Sequence, residues 1–340
     1  MTPNARIAIV VGDAPGPVEQ LVRVLRERGV ALDGIRLAGS PDREGGTVEV
    51  DNVELRVGRV DEVDAKNLEA VVFLGPVEAA ETLLGRWAAS CIVVDASPGA
   101  ALRLDRPPLV PEVNAGEASA GSEPLPLASP NAAALAAVVA PIRERVRIRR
   151  VFSTVLVPAS AAGEHGAEVL SRQAVGLMQG QGIEDVAEGD LRAFNLVPQA
   201  GAGGTPWSVE ELLLSREVVG VFRDPTLSVA STFVHAPVFY GTAQSVLLEA
   251  DRALETLEVE DLLRAAPGVL LTGADGEEAK GTGPGPIEVL GSDATHVSRV
   301  RSEGATGGAI ALWVCFDEQR KGLAFNAVSI LEAALRASGN

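Results

Sequence analysis

Two cysteines, two methionines, one tyrosine and three histidines are all that 340 residues hold of these types, and aromatic residues make up only 4%. Cys91 and Cys315 lie far apart in apolar runs, so no disulfide framework is expected; they read as small core residues of a protein from a reducing, cytoplasmic compartment. His165, His235 and His296 are scattered, with no second His or Cys at ligand spacing, which argues against a zinc site. No apolar run reaches the roughly 18 residues of a membrane span, and Met1–Arg6 leads straight into Ile7–Val11 without the apolar core of a signal peptide. Positive charge is short as well, with 29 Lys and Arg against 46 Asp and Glu for a formal charge of −17. Such a surface repels phosphate backbones and anionic lipid, so neither nucleic acid nor membrane is an expected partner. A P-loop, a G-x-S-x-G elbow and an H-E-x-x-H helix are all missing.

What the chain does hold is a 46% hydrophobic, 22% charged composition, typical of a folded globular protein, and a length that suggests two domains. The first hundred residues alternate apolar strands with helices. Arg6–Val11, Ile35–Ala38, Ala70–Leu74 and Ile92–Asp95 read as strands, Pro17–Arg28 and Glu78–Ala88 as helices. That order predicts a Rossmann-like parallel sheet covered on both faces, with ligands at the carboxyl ends of its strands. Ala96–Pro126, rich in Ser, Pro, Gly and Ala, reads as a connection between domains. Helices are expected over Pro130–Arg145, Glu164–Gln179, Val209–Phe222 and Lys321–Ala337. Strands are expected over Ile148–Val157, Leu227–Val234, Val238–Glu249, Val297–Val300 and Ala309–Phe316. The second half thus predicts an α+β domain on an antiparallel or mixed sheet. Gly273–Pro286 reads as a Gly-rich loop. The five arginines of Arg143–Arg150 read as a solvated helix end followed by an exposed strand edge.

The turn Gly12-Asp13-Ala14-Pro15-Gly16-Pro17-Val18-Glu19 joins the first strand to the first helix, where a dinucleotide pyrophosphate would sit. It has two glycines where three are usual, and Glu19 would repel phosphate. A nucleotide loop and a plain strand-to-helix turn both remain open. Gly12 and Gly16 are the candidate cofactor residues here, and Arg43, in Ser40-Pro41-Asp42-Arg43, is placed to meet a 2′-phosphate. The cofactor expectation is therefore none, or weakly held NADP.

Five segments in order, Leu109-Val110-Pro111-Glu112-Val113-Asn114, Ser129-Pro130-Asn131, Phe194-Asn195-Leu196-Val197-Pro198-Gln199, Pro237-Val238-Phe239 and Lys321-Gly322-Leu323-Ala324-Phe325-Asn326-Ala327-Val328, together resemble the aspartate-semialdehyde dehydrogenase family over nearly the whole chain. The resemblance implies a nucleotide-binding domain over 1–128 and a dimerisation domain over 129–320. Helix 321–337 would pack back on the first domain. It also implies an amino-acid biosynthetic setting, in which NADPH reduces aspartyl phosphate through a cysteine thioester with a histidine as acid and base.

The chemical positions differ from that pattern. The residue after Ser-Pro-Asn is Ala132 instead of cysteine, and the histidine position is Thr242. The orienting glutamine is replaced by Leu156, the substrate-binding arginine by His235, a phosphate-binding lysine by Leu213, and the glutamine of Asn-Ala-Val-Gln by Ser329. Arg103, Asn131 and Glu210 persist, as contacts for the substrate's phosphate, the helix start and the substrate's amino group, and Asn326 persists beside the cofactor. The expectation is a homodimer of the same fold without catalytic residues, with a binding, regulatory or structural role and a small anionic ligand. The alternative is an NAD(P)-dependent oxidoreductase using displaced residues on a related aldehyde or acyl phosphate.

Overall fold

The computed structural model describes residues 1, 4–12, 16–75, 77–119, 121–180, 190–201, 205–273, 283–303 and 308–339. The chain divides into two compact units, Met1–Ala133 with Gly322–Asn340, and Ala134–Lys321.

The first unit opens with β1 (Ile7–Val10), α1 (Gly16–Glu27) and β2 (Ile35–Gly39). The hairpin β3 (Thr47–Val50) and β4 (Val53–Arg59) follows, then β5 (Ala70–Phe73), α2 (Val77–Ala88) and β6 (Ile92–Asp95). Short elements α3 (Ala100–Arg103), α4 (Pro111–Asn114) and β7 (Leu125–Pro126) lead into α5 (Pro130–Arg143). The sheet runs β3-β4-β2-β1-β5-β6-β7, parallel throughout except for the hairpin. Its turn is Asp51-Asn52, both at positive φ (51° and 64°), as a two-residue type I′ hairpin requires. Ala96–Pro126 is not a connection between domains: β7 joins the sheet beside β6, and Leu109 bridges Leu127.

Helix α1 buries Val18, Leu21, Val22, Val24 and Leu25 on one sheet face, in the same cluster as Ala327, Val328, Ile330, Leu331 and Ala334 of the closing helix α9 (Asn326–Ala337). The expected single helix over 321–337 is split, because a π-helical turn occupies Arg320–Phe325 ahead of α9. Gly322 in that turn is required by space, since a Cβ there would come within 2.6 Å of the Pro130 ring. The opposite sheet face packs Ala8, Val10, Val71 and Phe73 against Leu84 and Trp87 of α2.

The second unit contains β8 (Ile148–Val157), α6 (Gly163–Met178), β9 (Val197–Pro198), α7 (Val209–Phe222), β10 (Ser228–His235) and β11 (Thr242–Ala250). It continues with α8 (Thr256–Ala265), β12 (Val269–Leu271), β13 (Thr295–Glu303) and β14 (Ala309–Phe316). The sheet order is β12-β13-β14-β11-β8-β10-β9, and it is mixed: β8 and β10 are parallel, while β8, β11, β14 and β13 are antiparallel in turn. Strand β11 begins at Thr242 and not at Val238, because Gly241 turns the chain at φ +86°. Helix α8, absent from the sequence expectation, buries Val259, Glu260 and Leu263. The arginine run is not an exposed strand edge, since β8 lies inside the sheet between β11 and β10. Its arginines are engaged: Arg143 pairs with Asp224 at 2.7 Å over the Phe222 ring, and Arg145 with Glu258 at 3.0 Å. Much of Gly273–Pro286 lies outside the described residues.

Along β8 and β11 alternate residues divide between two faces. Val151, Val155, Val246 and Leu248 are buried, while Phe152, Thr154 and Ser245 on the other face are exposed.

Candidate functional sites in each unit

At the carboxyl end of β1, Gly12 is fixed by close packing: a Cβ there would stand 2.8 Å from the Leu74 carbonyl oxygen. Asp13–Pro15 lie outside the described residues, and Gly16 opens α1. Glu19 in the first turn pairs with Arg23 at 2.6 Å, so its charge is partly met within the helix. Arg43 lies in the single turn Pro41–Arg43 directly after β2. The fit to a dinucleotide is incomplete: a closely packed Gly12, the amides at the start of α1 and an arginine after β2 are present, but a carboxylate shares the first turn of the helix.

At the end of β6, Asp95 is fully buried and organises its surroundings. Its Oδ1 accepts from the Ser97 amide at 3.0 Å and the Ser97 hydroxyl at 2.6 Å. Arg103 donates from Nη2 to Asp95 Oδ2 at 2.6 Å and to Ser97 Oγ at 2.7 Å, and from Nη1 to the Pro98 carbonyl at 3.3 Å. The arginine expected to meet a phosphate is therefore committed to a buried carboxylate on its own side of the fold.

Asn131 lies in the first turn of α5, half-buried, and Ala132 after it is completely buried. Asn114, the last residue of the Leu-Val-Pro-Glu-Val-Asn motif, has a structural task. Its Oδ1 accepts from the Val110 amide at 2.7 Å and its Nδ2 donates to the Pro108 carbonyl at 3.0 Å. Asn326 is buried at 1% exposure and donates to the Gly322 carbonyl at 3.3 Å at the start of α9; Ser329 is half-buried.

In the second unit, Leu156 of β8 packs in an apolar cluster with Ala243, Val289, Trp313 and Cys315. Thr242 opens β11 at 3% exposure. The Gly241 amide beside it donates to Glu318 at 2.9 Å, and the Ser160 hydroxyl donates to the other carboxylate oxygen at 2.6 Å. Burial pushes the Glu318 carboxyl above the ordinary range, opposed by these two donors and reinforced by Asp317. Sequence reasoning missed Glu318, whose contacts span 158 and 77 residues along the chain.

His235 ends β10, and Glu210 occupies the first turn of α7, behind the Ser208–Glu211 capping box. Leu213 is half-buried one turn on. Desolvation lowers the His235 pKa; the Arg192 guanidinium lowers it further and the Glu210 carboxylate opposes both. Arg192 was also missed, although a charged residue beside the apolar Phe194–Gln199 motif was the available signal. His296 is lowered by burial, with its Nε2 2.9 Å from the Ser292 hydroxyl.

Neither thiol is activated. Cys91, half-buried ahead of β6, is pushed up to about 11, and Cys315, fully buried in β14, to about 12, chiefly by desolvation. Among the described residues no cluster of three His, Cys, Asp or Glu could hold a metal ion, and no helix is long and apolar enough to cross a membrane.

Residues 139–321 match the family described as semialdehyde dehydrogenase, dimerisation domain. Aspartate-semialdehyde dehydrogenase 2 of Vibrio cholerae is 31% identical over 96% of this chain and 97% of its own length. A USG-1 protein homolog of Pseudomonas aeruginosa is equally similar, at 31% identity over 96% and 97%. The crystal structure of aspartate semialdehyde dehydrogenase II from Vibrio cholerae superimposes with a TM-score of 0.87 at 29% identity, covering 97% of this chain and 98% of that one. A probable aspartate-semialdehyde dehydrogenase from Pseudomonas aeruginosa gives the same TM-score and identity over 98% and 99%. With its Rossmann-like first sheet, its dimerisation-type second unit and this likeness over nearly its whole length, the chain belongs to the aspartate-semialdehyde dehydrogenase family.

Proposed function

We propose that this family member has no covalent aldehyde chemistry and works by binding, as a cytoplasmic homodimer with a nucleotide-type domain over 1–128 and a dimerisation domain over 129–320. The observation that carries the reading is Ala132: the position that resemblance assigns to the nucleophile has a methyl group at the start of α5. A thioester needs a thiolate, and the two thiols the chain does have are held protonated by burial. Thr242 has no imidazole to take the proton of a hemithioacetal, and Leu156 offers an apolar side chain where an amide would orient the intermediate. The Arg103 charge is met by Asp95.

Gly12, Gly16 and Arg43 would hold NADP weakly, with Glu19 opposing, and a bound nicotinamide would supply a hydride acceptor. The homodimer uses the sheet face that carries Phe152, 37% exposed, with Thr154 and Ser245. Aspartate semialdehyde, phosphate and NADP supplied together test the reading: no reduced nicotinamide is expected to form.

A further inference from the structure

We infer that the cavity beside a bulge in β13, lined by Ser298, Arg299 and Arg301, is a binding site for a phosphoryl group. Strand register builds it. Ser298 pairs with Trp313 and Arg301 with Ala311, so three steps along β13 match two along β14. The extra residue turns Arg301 onto the sheet face of Ser298, where a regular strand would place the two on opposite faces. Arg299, inside the bulge, takes a left-handed φ of +54°, a conformation that favours glycine. A long cationic side chain is kept there against that preference.

The walls are held in place. Thr272 donates to the Val297 carbonyl from its amide at 2.8 Å and from its hydroxyl at 3.3 Å. Trp313 Nε1 donates to the Pro284 carbonyl at 3.3 Å. Gly283, next to Pro284 and at φ +82°, lies so close over Ser298 that a Cβ on it would collide with the serine side chain. Arg301 Nη1 donates to the Arg299 carbonyl at 3.0 Å, which steadies its guanidinium at the bulge.

The enclosed space is about 170 Å³, more than ten times the roughly 10–15 Å³ that admits one water. Ser298 is 1% exposed, yet its Oγ has no hydrogen-bond partner. Buried hydroxyls are rarely left so, and this one lines the cavity. No carboxylate lines it, in a chain where acidic residues outnumber basic ones 46 to 29. Arg299 is exposed and in no ion pair among the described residues. A phosphoryl group brings close to two negative charges and three acceptor oxygens, which match two guanidiniums and a hydroxyl. None of the lining residues is at a position that resemblance assigns to the family reaction, so the site stands whether or not the chain turns over a semialdehyde.

Calorimetric titration of the full chain with glycerol 3-phosphate, inorganic phosphate and succinate tests the assignment. Both phosphates are expected to bind in preference to succinate. Arg299→Gly should weaken them at least tenfold without lowering the melting temperature, because glycine is at ease in the left-handed bulge. Ser298→Ala should weaken them severalfold, again without thermal loss, since the hydroxyl it removes has no partner. Arg172→Gln, an exposed position on α6, controls for overall charge and should leave binding within twofold. If Arg299→Gly fails to fold, as read by circular dichroism, Arg299→Gln and Ser298→Ala decide the matter. Unchanged affinity in the Arg299 variants, an equal loss in Arg172→Gln, preference for succinate, or no heat with any probe would overturn the inference.

Discussion

Arg103 reaches back across its turn to place Nη2 2.6 Å from a carboxylate, that of Asp95, with zero exposure at the end of β6. Ser97 Oγ joins the same pair, donating to Asp95 and accepting from Arg103. The carboxylate is buried while Arg103 keeps 17% of its side chain exposed, so its charge retains some access to water. Asp95→Asn should therefore cost about 1–3 kcal/mol. Urea unfolding read by circular dichroism checks it; a midpoint equal to that of the parent protein would mean Arg103 finds solvent instead.

His235 reports on its two charged neighbours. Its imidazole should titrate below the ordinary histidine value, because burial and the Arg192 charge both disfavour the proton. Arg192→Gln should raise that value by removing repulsion, and Glu210→Gln should lower it by removing attraction. With three histidines in the chain, ring proton signals in an NMR pH titration are assignable by substitution. Shifts of the opposite sign would place the two charges elsewhere.

Phe152, exposed at the middle of β8, marks the sheet face assigned to the homodimer. Phe152→Glu should convert a dimer of 35.1 kDa chains into monomer at micromolar concentration, read by light scattering after size exclusion. A parent protein that is already monomeric, or a variant that stays dimeric, speaks against this face.

The Glu318 carboxyl holds its proton to higher pH in the folded chain than in the unfolded one, because its half-buried position desolvates the charged form. Its contribution to stability is full below the ordinary carboxylate pKa and is lost as pH rises through the raised folded value. Glu318→Gln removes that loss, since an amide does not ionise. The variant should gain stability relative to the parent as pH climbs above the ordinary carboxylate range. Thermal unfolding across that range measures it; a difference that does not change with pH contradicts the assignment.

Elements with strong apolar patterning were legible in the sequence, and Ile148–Val157, Val209–Phe222 and Ala309–Phe316 form with the expected bounds. The hairpin at Asp51-Asn52 was overlooked although its alternating Thr47–Val50 and positive-φ turn residues are a local signal. Helix α8 was obscured by the charged residues of Thr256–Ala265, which leave a narrow apolar stripe of Val259 and Leu263. In the sites, the order of the motifs along the chain is what singles out Ala132 and Thr242. The surroundings of Arg192 could not, because its neighbours are set by the β9–β10 pairing and by α6. The commitment of Arg103 to Asp95 needed coordinates for the same reason, since sequence spacing alone does not say where a guanidinium turns.

The most direct measurement is turnover per chain with saturating aspartate semialdehyde, phosphate and NADP, followed at the nicotinamide absorbance for the parent protein and for Ala132→Cys. Neither should rise above the blank. A thiol introduced at the fully buried position 132 would, on the proposed reading, have no imidazole at Thr242 to serve it, and loss of one acid–base group alone typically costs a factor of about 10² to 10⁴. Reduced nicotinamide that forms in proportion to the purified parent protein, at a rate set by its concentration, would contradict the account.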